Sequence, residues 1–286
     1  AVVGWWSGFK LGGVLSLNIA QYLENLGFQN YWQLTFIFLS LVIIFFNICL
    51  LLIKEREQKN LKKINENNKN IFSKTAGWVI STISNPITSF FKKNGFSIAL
   101  GIIGFIFLFK IGEAFLGRMS VIFYKEIGFS KSDIALYSKT FGWFTTVIFT
   151  LLGGLFTIRS GVLKSMFVAG ILMASTNLLF TILAWSGKSY FLFALAIILD
   201  DIAAAFATVA TVAFISLLVD RNYTATQYAL LASIGTAGRT MLASSSGSLV
   251  DWLNGDWGTF FIITALMVIP SLILFFFIKN KIKINE

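Results

Sequence analysis

Between Phe96 and Tyr124 the chain reads FSIALGIIGFIFLFKIGEAFLGRMSVIFY. Up to Phe109 the run carries no charge, and its whole length exceeds the ~20 residues a helix needs to cross about 30 Å of hydrocarbon. Its apolar residues are continuous rather than alternating, which speaks for a helix and against a half-buried strand. Lys110, Glu113 and Arg118 nevertheless fall inside it. A spanning helix with charges along its length is the feature the rest of the sequence must explain.

Seven further stretches of the same kind stand on either side, at about Val2–Tyr22, Tyr31–Ile53, Asp133–Ile158, Val162–Trp185, Tyr190–Val219, Ala225–Leu249 and Thr259–Ile278. None shows the ten-residue alternation of an outer-membrane barrel. Composition agrees: 56% of the residues are hydrophobic and 16% aromatic, while 13% are charged, against about 25% in soluble domains. The expected fold class is an all-α polytopic membrane protein of about eight helices. The absence of histidine removes Ser-His-Asp and Cys-His nucleophiles, His-ligated metals and His proton relays. A single cysteine, Cys49, makes neither an intrachain disulfide nor a thiolate metal cage. We therefore expect no catalytic centre, no metal and no cofactor, and the chain reads as a non-enzyme.

One connection differs from the short ones. Residues 54–74 read KEREQKNLKKINENNKNIFSK, too polar to bury a core. The following GWVISTISNPITSFFKKNG, Gly77 to Gly95, reads as an interfacial helix broken at Pro86. The organisation expected is residues 1–53 as the end of a first helical bundle, 54–95 as a linker with its interfacial helix, and 96–286 as a second bundle of six. The chain opens on Ala1, with nine residues before Lys10 and no cleavage signal, and reads as starting inside a helix.

The net charge of +10 suggests nucleic acid until the bases are placed. With the linker inside, fifteen Lys and Arg fall on the inner side and three (Lys125, Lys131 and Lys188) on the outer. That is the positive-inside pattern, with linker and C-terminus cytoplasmic. The partner expected is a lipid bilayer, and no nucleic acid.

Eight charges remain within the spans: Lys10, Lys110, Arg118, Lys139, Arg239, Glu113, Asp200 and Asp201. Each costs at least about 2.5–3.5 kcal/mol if unpaired near mid-bilayer, so they must face one another, a polar cavity or water. Lys110 and Glu113 are three apart and share a helical face. Lys139, Trp143, Thr146 and Thr150 form a polar stripe, and Asp200, Ala204, Thr208 and Thr211 form another. A solute pathway explains the set better than isolated packing pairs. Gly235, Gly238 and the SSSGS run from Ser244 to Ser248 read as close-packing positions. Gly187-Lys188-Ser189 lacks the upstream glycine of a P-loop, since Ile182 takes its place.

Several motifs resemble one family. The run from Lys110 to Gly154 contains Lys110-Ile111-Gly112-Glu113-Ala114 and Ser138-Lys139-Thr140 with Gly142, and looks like helices seven and eight of the AmpG-type muropeptide permeases of the major facilitator superfamily. TATQYALLASIGTAGR, from Thr224 to Arg239 with Gln227 in its core, is similar to helix eleven of that family. GFKLGGVLS, Gly8 to Ser16, resembles helix five, with Lys10 where Arg is usual. Gly154, Arg159 and Gly161 match the loop between helices eight and nine, although Ile158 replaces the common acid. Asp200-Asp201 followed by IAAAFAT departs from the Glu-Asn and Gly-rich stretch usual on helix ten.

The resemblance implies the major facilitator fold, with helices five and six in residues 1–53, helices seven to twelve in 96–286, and four earlier helices expected upstream. It implies a proton-coupled importer of anhydro-muropeptides, working by alternating access in the bacterial inner membrane, for which protons and a small muropeptide-like solute are the partners. Glu113, Asp200 and Asp201 are the candidate proton carriers. Lys10, Lys110, Arg118, Lys139, Trp143, Thr146, Thr208, Thr211, Gln227 and Arg239 are the candidate pathway residues. A transporter of an oligopeptide, sugar or acyl-coenzyme A on the same scaffold, or a non-transporting membrane sensor, are the alternative readings.

Overall fold

The computed structural model describes residues 16, 19–20, 22–51 and 80–282, and all regular secondary structure in them is helical. They fall into two units, one ending at Leu51 and one beginning at Ile80. The first contains α1, Tyr31–Leu51, close to the expected span. Most of its large side chains, Phe36, Ile44 and Phe45 among them, are exposed. Its polar groups are satisfied within the helix: Thr35 Oγ1 donates to the Tyr31 carbonyl at 2.8 Å, and Asn47 Nδ2 to that of Ile43 at 2.8 Å. That is the accounting a lipid-facing helix requires.

The second unit opens with a π-helical stretch, Ile80–Ser84, running into α2, Asn85–Asn94. Then come α3 (Phe96–Phe109), α4 (Ile111–Ile127), the single turn α5 (Lys131–Ile134), a π-helical stretch Ala135–Phe141 and α6 (Gly142–Ser160). α7 (Val162–Ser186), α8 (Tyr190–Leu218), α9 (Thr224–Ala243), α10 (Ser246–Trp252), α11 (Trp257–Leu266) and α12 (Ile269–Ile278) complete it. Pro86 lies in the first turn of α2, where its missing N–H costs nothing. The helical run changes from π to α just ahead of it, at Asn85.

α8 packs along α6 and α7, α11 along α7, and both α9 and α12 along α3. Two aromatic cores result. One joins Phe105, Phe109, Phe214 and Phe275, and the other Phe123, Phe180, Phe193 and Phe261. α3 supplies Phe105 and Phe109 to the first and α4 supplies Phe123 to the second, with Lys110 at the junction of the two helices.

α6 shows the solvent for which the chain is built. It buries Thr146, Thr150, Gly153 and Thr157, and exposes Phe144, Ile148, Leu151, Leu155 and Ile158. The buried hydroxyls donate to carbonyls one turn back, at 2.7, 2.6 and 2.8 Å for Thr146, Thr150 and Thr157. A helix with its apolar stripe outward and small or hydroxylated residues inward is made for lipid. Among the described residues, six helical runs are long and apolar enough to cross a membrane: Tyr31–Cys49, Phe96–Ile127, Leu136–Ser160, Val162–Ser186, Tyr190–Leu218 and Trp257–Ile278. The architecture is that of an all-α, multi-pass membrane protein. Of the eight stretches expected, Val2–Tyr22 lies largely outside the described residues. Ala225–Leu249 forms α9 and α10, parted by a turn at Ser244–Ser245, and is not among the six.

Candidate functional site

The span Phe96–Ile127 is not one continuous helix. Lys110, with φ −100° and ψ 18°, ends α3 and precedes α4. Glu113 then sits in the first turn of α4, where the helix N-terminus favours a carboxylate. Lys110 Nζ stands 3.1 Å from Glu113 Oε2, a charge contact without the angle of a directed hydrogen bond. It donates to Thr208 Oγ1 at 2.8 Å, and Thr208 passes its own proton to the Ala204 carbonyl at 2.8 Å. Arg239 of α9 closes the cluster, its guanidinium 3.6 Å from Glu113 Oε1. Burial is uneven: the side chains of Lys110 and Glu113 are 17% and 9% exposed, that of Arg239 43%.

α9 comes this close because it has glycines where it meets α3. Gly238 lies directly on the Phe107 backbone and Gly235 on Ile106. On the other side Gly112 abuts the Thr264 carbonyl, which would stand 2.6 Å from an added Cβ. Small residues thus set the triad's geometry from both flanks.

Lys110 and Arg239 line a cavity of about 170 Å³, with Glu113 behind them and outside its lining. One part of its lining is polar, made by Lys110, Thr208, Thr211, Tyr228, Thr236 and Arg239, and another is apolar, with Phe105, Phe109, Met166 and Val212. Tyr228 and Thr236 were missed by the sequence reading. The signal was present, since Tyr228, Ala232, Gly235 and Arg239 recur at four, three and four on one face of α9.

The other expected residues are placed elsewhere or lie outside what is described. Lys10 and most of the Gly8–Ser16 motif are outside the described residues, as is the side chain of Lys139, whose backbone lies in the π-helical stretch Ala135–Phe141. Arg118 is exposed on α4. Trp143 buries an indole N–H that has no hydrogen-bond partner. Thr146 is buried on the inner stripe of α6. Asp200 and Asp201 lie on α8, where Thr176 Oγ1 is 3.4 Å from Asp200 Oδ1, away from the triad's cavity lining. Gln227, 2% exposed, is also absent from that lining. Its Nε2 donates to the Pro86 carbonyl at 2.9 Å and its Oε1 accepts from the Asp220 N–H at 2.6 Å. Together with Ser89 Oγ to Asp220 Oδ2 at 3.1 Å and Lys93 Nζ to the Leu218 carbonyl at 3.2 Å, it ties α2 to the ends of α8 and α9. Burial pushes the Lys93 ammonium below its ordinary range, against the pull of Asp220.

Gly154 lies within α6, Gly161 ends it with φ +84°, and Arg159 is exposed in its last turn, where a cation suits the helix dipole. The Gly187-Lys188-Ser189 turn is a helix cap: Ser189 Oγ accepts from the Leu192 N–H at 3.4 Å. Near the same end of the bundle, Ser130 donates Oγ–H and N–H to Asp133 Oδ2 at 2.7 and 2.9 Å, holding that carboxyl below the usual carboxylate range. Thr259 does the same for Asp256, which caps α11.

A multi-pass helical protein with a mostly buried ion triad and a small polar-lined cavity has the form of a membrane permease. No family model matches the chain, but individual relatives do. It is 31% identical over 277 residues to a putative transporter AmpG 4 of Rickettsia conorii (strain ATCC VR-613 / Malish 7), covering 97% of this chain and 64% of the relative. A putative transporter AmpG 1 of Rickettsia bellii (strain RML369-C) is 29% identical over 281 residues, 96% of this chain and 64% of the relative. The anhydromuropeptide permease of Escherichia coli (strain K12) is 27% identical over 190 residues, 66% of this chain and 38% of the relative. The resemblance to AmpG-type permeases read from the motifs is thereby shown across nearly the whole chain. The relatives' names are those of transporters, not enzymes, and the chain spans under two thirds of the length of the relatives it matches.

Proposed function

We propose that this protein is a secondary transporter that imports anhydro-muropeptides across the bacterial inner membrane with protons, by alternating access. The observation that carries the reading is the Lys110–Glu113–Arg239 triad beside a polar-lined cavity in an apolar bundle. A static structural pair would gain more from apolar packing, whereas a carboxylate held by cations from two helices can give up one of them to a docking solute. Glu113 is the leading proton carrier, with Asp200 and Asp201 as the second acidic pair. Arg239 and Thr211 serve the solute directly, Lys110 and Thr208 line its cavity while holding Glu113, and Lys10, Arg118, Lys139, Trp143 and Thr146 are further pathway residues. Gln227 is a tie for α2 in this scheme and not a solute contact.

In the same proposal residues 1–53 supply helices five and six of a major facilitator fold, 54–95 the cytoplasmic linker, and 96–286 helices seven to twelve, with the C-terminus cytoplasmic. The names of the relatives and the fifteen-to-three asymmetry of Lys and Arg support it. The test is uptake of radiolabelled anhydro-muropeptide into proteoliposomes with and without an inward proton gradient, in competition with oligopeptides and plain sugars. Gradient-driven uptake blocked by muropeptide alone is the expected result. Uptake indifferent to the gradient removes the proton coupling, and a failure to take up muropeptide removes the substrate.

A further inference from the structure

The three members of the triad are not held alike. Lys110 is spent twice, on Glu113 and on Thr208, and is mostly buried. Arg239 is nearly half exposed, and its contact with Glu113 at 3.6 Å is beyond hydrogen-bond distance. A guanidinium offers five donors in a fork shaped for a carboxylate, and among the described residues none of them makes a hydrogen bond. Among the described residues, two cations thus face one carboxylate beside the cavity. The side chain of Arg239 lines the cavity together with Thr211, Tyr228 and Thr236.

We propose that Arg239 is the anchor for a free carboxylate at one end of the solute, and that Glu113 is the built-in carboxylate displaced from Arg239 when the solute docks. The inference rests on the transport reading above and narrows it: the acid end of the solute, rather than a sugar ring, enters this cavity. Lys110 stays on Glu113 throughout, because its second bond to Thr208 fixes it. Thr211 and Thr236, whose hydroxyls already donate to the Ala207 and Ala232 carbonyls, can accept from the amide or hydroxyl next to the carboxylate, and Tyr228 lines the same cavity.

The test measures arginine modification. The purified protein is treated with phenylglyoxal, and labelling at Arg239 is followed by peptide mass mapping with anhydro-muropeptide, N-acetylglycine or N-acetylglycinamide present. Both carboxylates should slow labelling and the amide should not. Glu113→Gln removes the internal competitor, so protection by N-acetylglycine should need roughly fivefold less compound. A merely structural ion pair predicts the opposite, a loosened site. In calorimetry Arg239→Lys should still prefer acid over amide, and Arg239→Gln should not. Equal protection by acid and amide, or weaker protection in Glu113→Gln, overturns the anchor. Protection by N-acetylglycine but not by muropeptide keeps the anchor and removes the muropeptide reading. Muropeptide uptake with no protection of Arg239 does the reverse.

Discussion

Gly238 packs against the carbonyl oxygen of Phe107 so closely that no β-carbon fits between them. The contact is backbone to backbone, so a substitution cannot be absorbed by a side-chain rotation. Gly238→Ala should cost about 1–3 kcal/mol through overpacking and push Arg239 away from Glu113. Gly117→Ala, where an added methyl meets nothing within 4 Å, should be close to neutral. Thermal unfolding of the two variants in detergent checks the pair. Equal melting temperatures would contradict the close approach.

Gln227 satisfies two backbone groups from chain segments far apart, Pro86 and Asp220. Gln227→Leu keeps the bulk and orphans both, for an expected loss of about 1–3 kcal/mol. Because α2 loses its tie, protease accessibility around Pro86 should rise more than elsewhere, which limited proteolysis with mass mapping would show.

Lys110→Met leaves Glu113 with the distant Arg239 as its remaining cation among the described residues. Breaking one side of a buried pair typically costs about 3–5 kcal/mol. Adding Glu113→Gln removes the charge left behind, so the double variant should be more stable than Lys110→Met alone. A double-mutant cycle on unfolding measures the coupling. Both variants should lose uptake, since stability is recovered without the function.

Asp133 and Asp256 are held below the usual carboxylate range by Ser130 and Thr259. A depressed folded value binds protons later than the unfolded chain does. The stabilisation is therefore complete above the ordinary carboxylate pKa and is lost as pH falls through the lowered folded value. Asp133→Asn and Asp256→Asn should lower the plateau at neutral pH, where the stabilisation is fully present, and leave the acid end nearly unchanged, so that the acid limb flattens. Melting temperature followed from neutral pH down into the acid range tests this.

How much of this was legible in the sequence depends on the range of the forces involved. The helices were, because continuous apolarity is a local property, and Lys110–Glu113 was, because a spacing of three is fixed by the helix itself. The arrival of Arg239 from a helix more than a hundred residues on was visible only as a charge needing company. Its partner is chosen by the fit of Gly235 and Gly238 against α3. The interruption at Lys110 had no Gly or Pro at that residue to announce it. Gln227 read as a pathway residue because an amide in an apolar helix suits either a solute or a backbone, and tertiary packing decided for the backbone of Pro86.

The helix that delivers Arg239 is the one stretch among those expected that is described and yet lacks the apolarity to cross a membrane on its own. An arginine in a span costs up to about 2.5–3.5 kcal/mol on leaving the translocation channel for lipid, and the glycines and hydroxyls of α9 do little to offset it. Ile106 and Phe107 of the Phe96–Phe109 helix provide the seat, and Glu113 provides the countercharge. Biogenesis is therefore ordered. The earlier helix must already be in the bilayer when α9 emerges from the ribosome, and the two enter their final positions as partners.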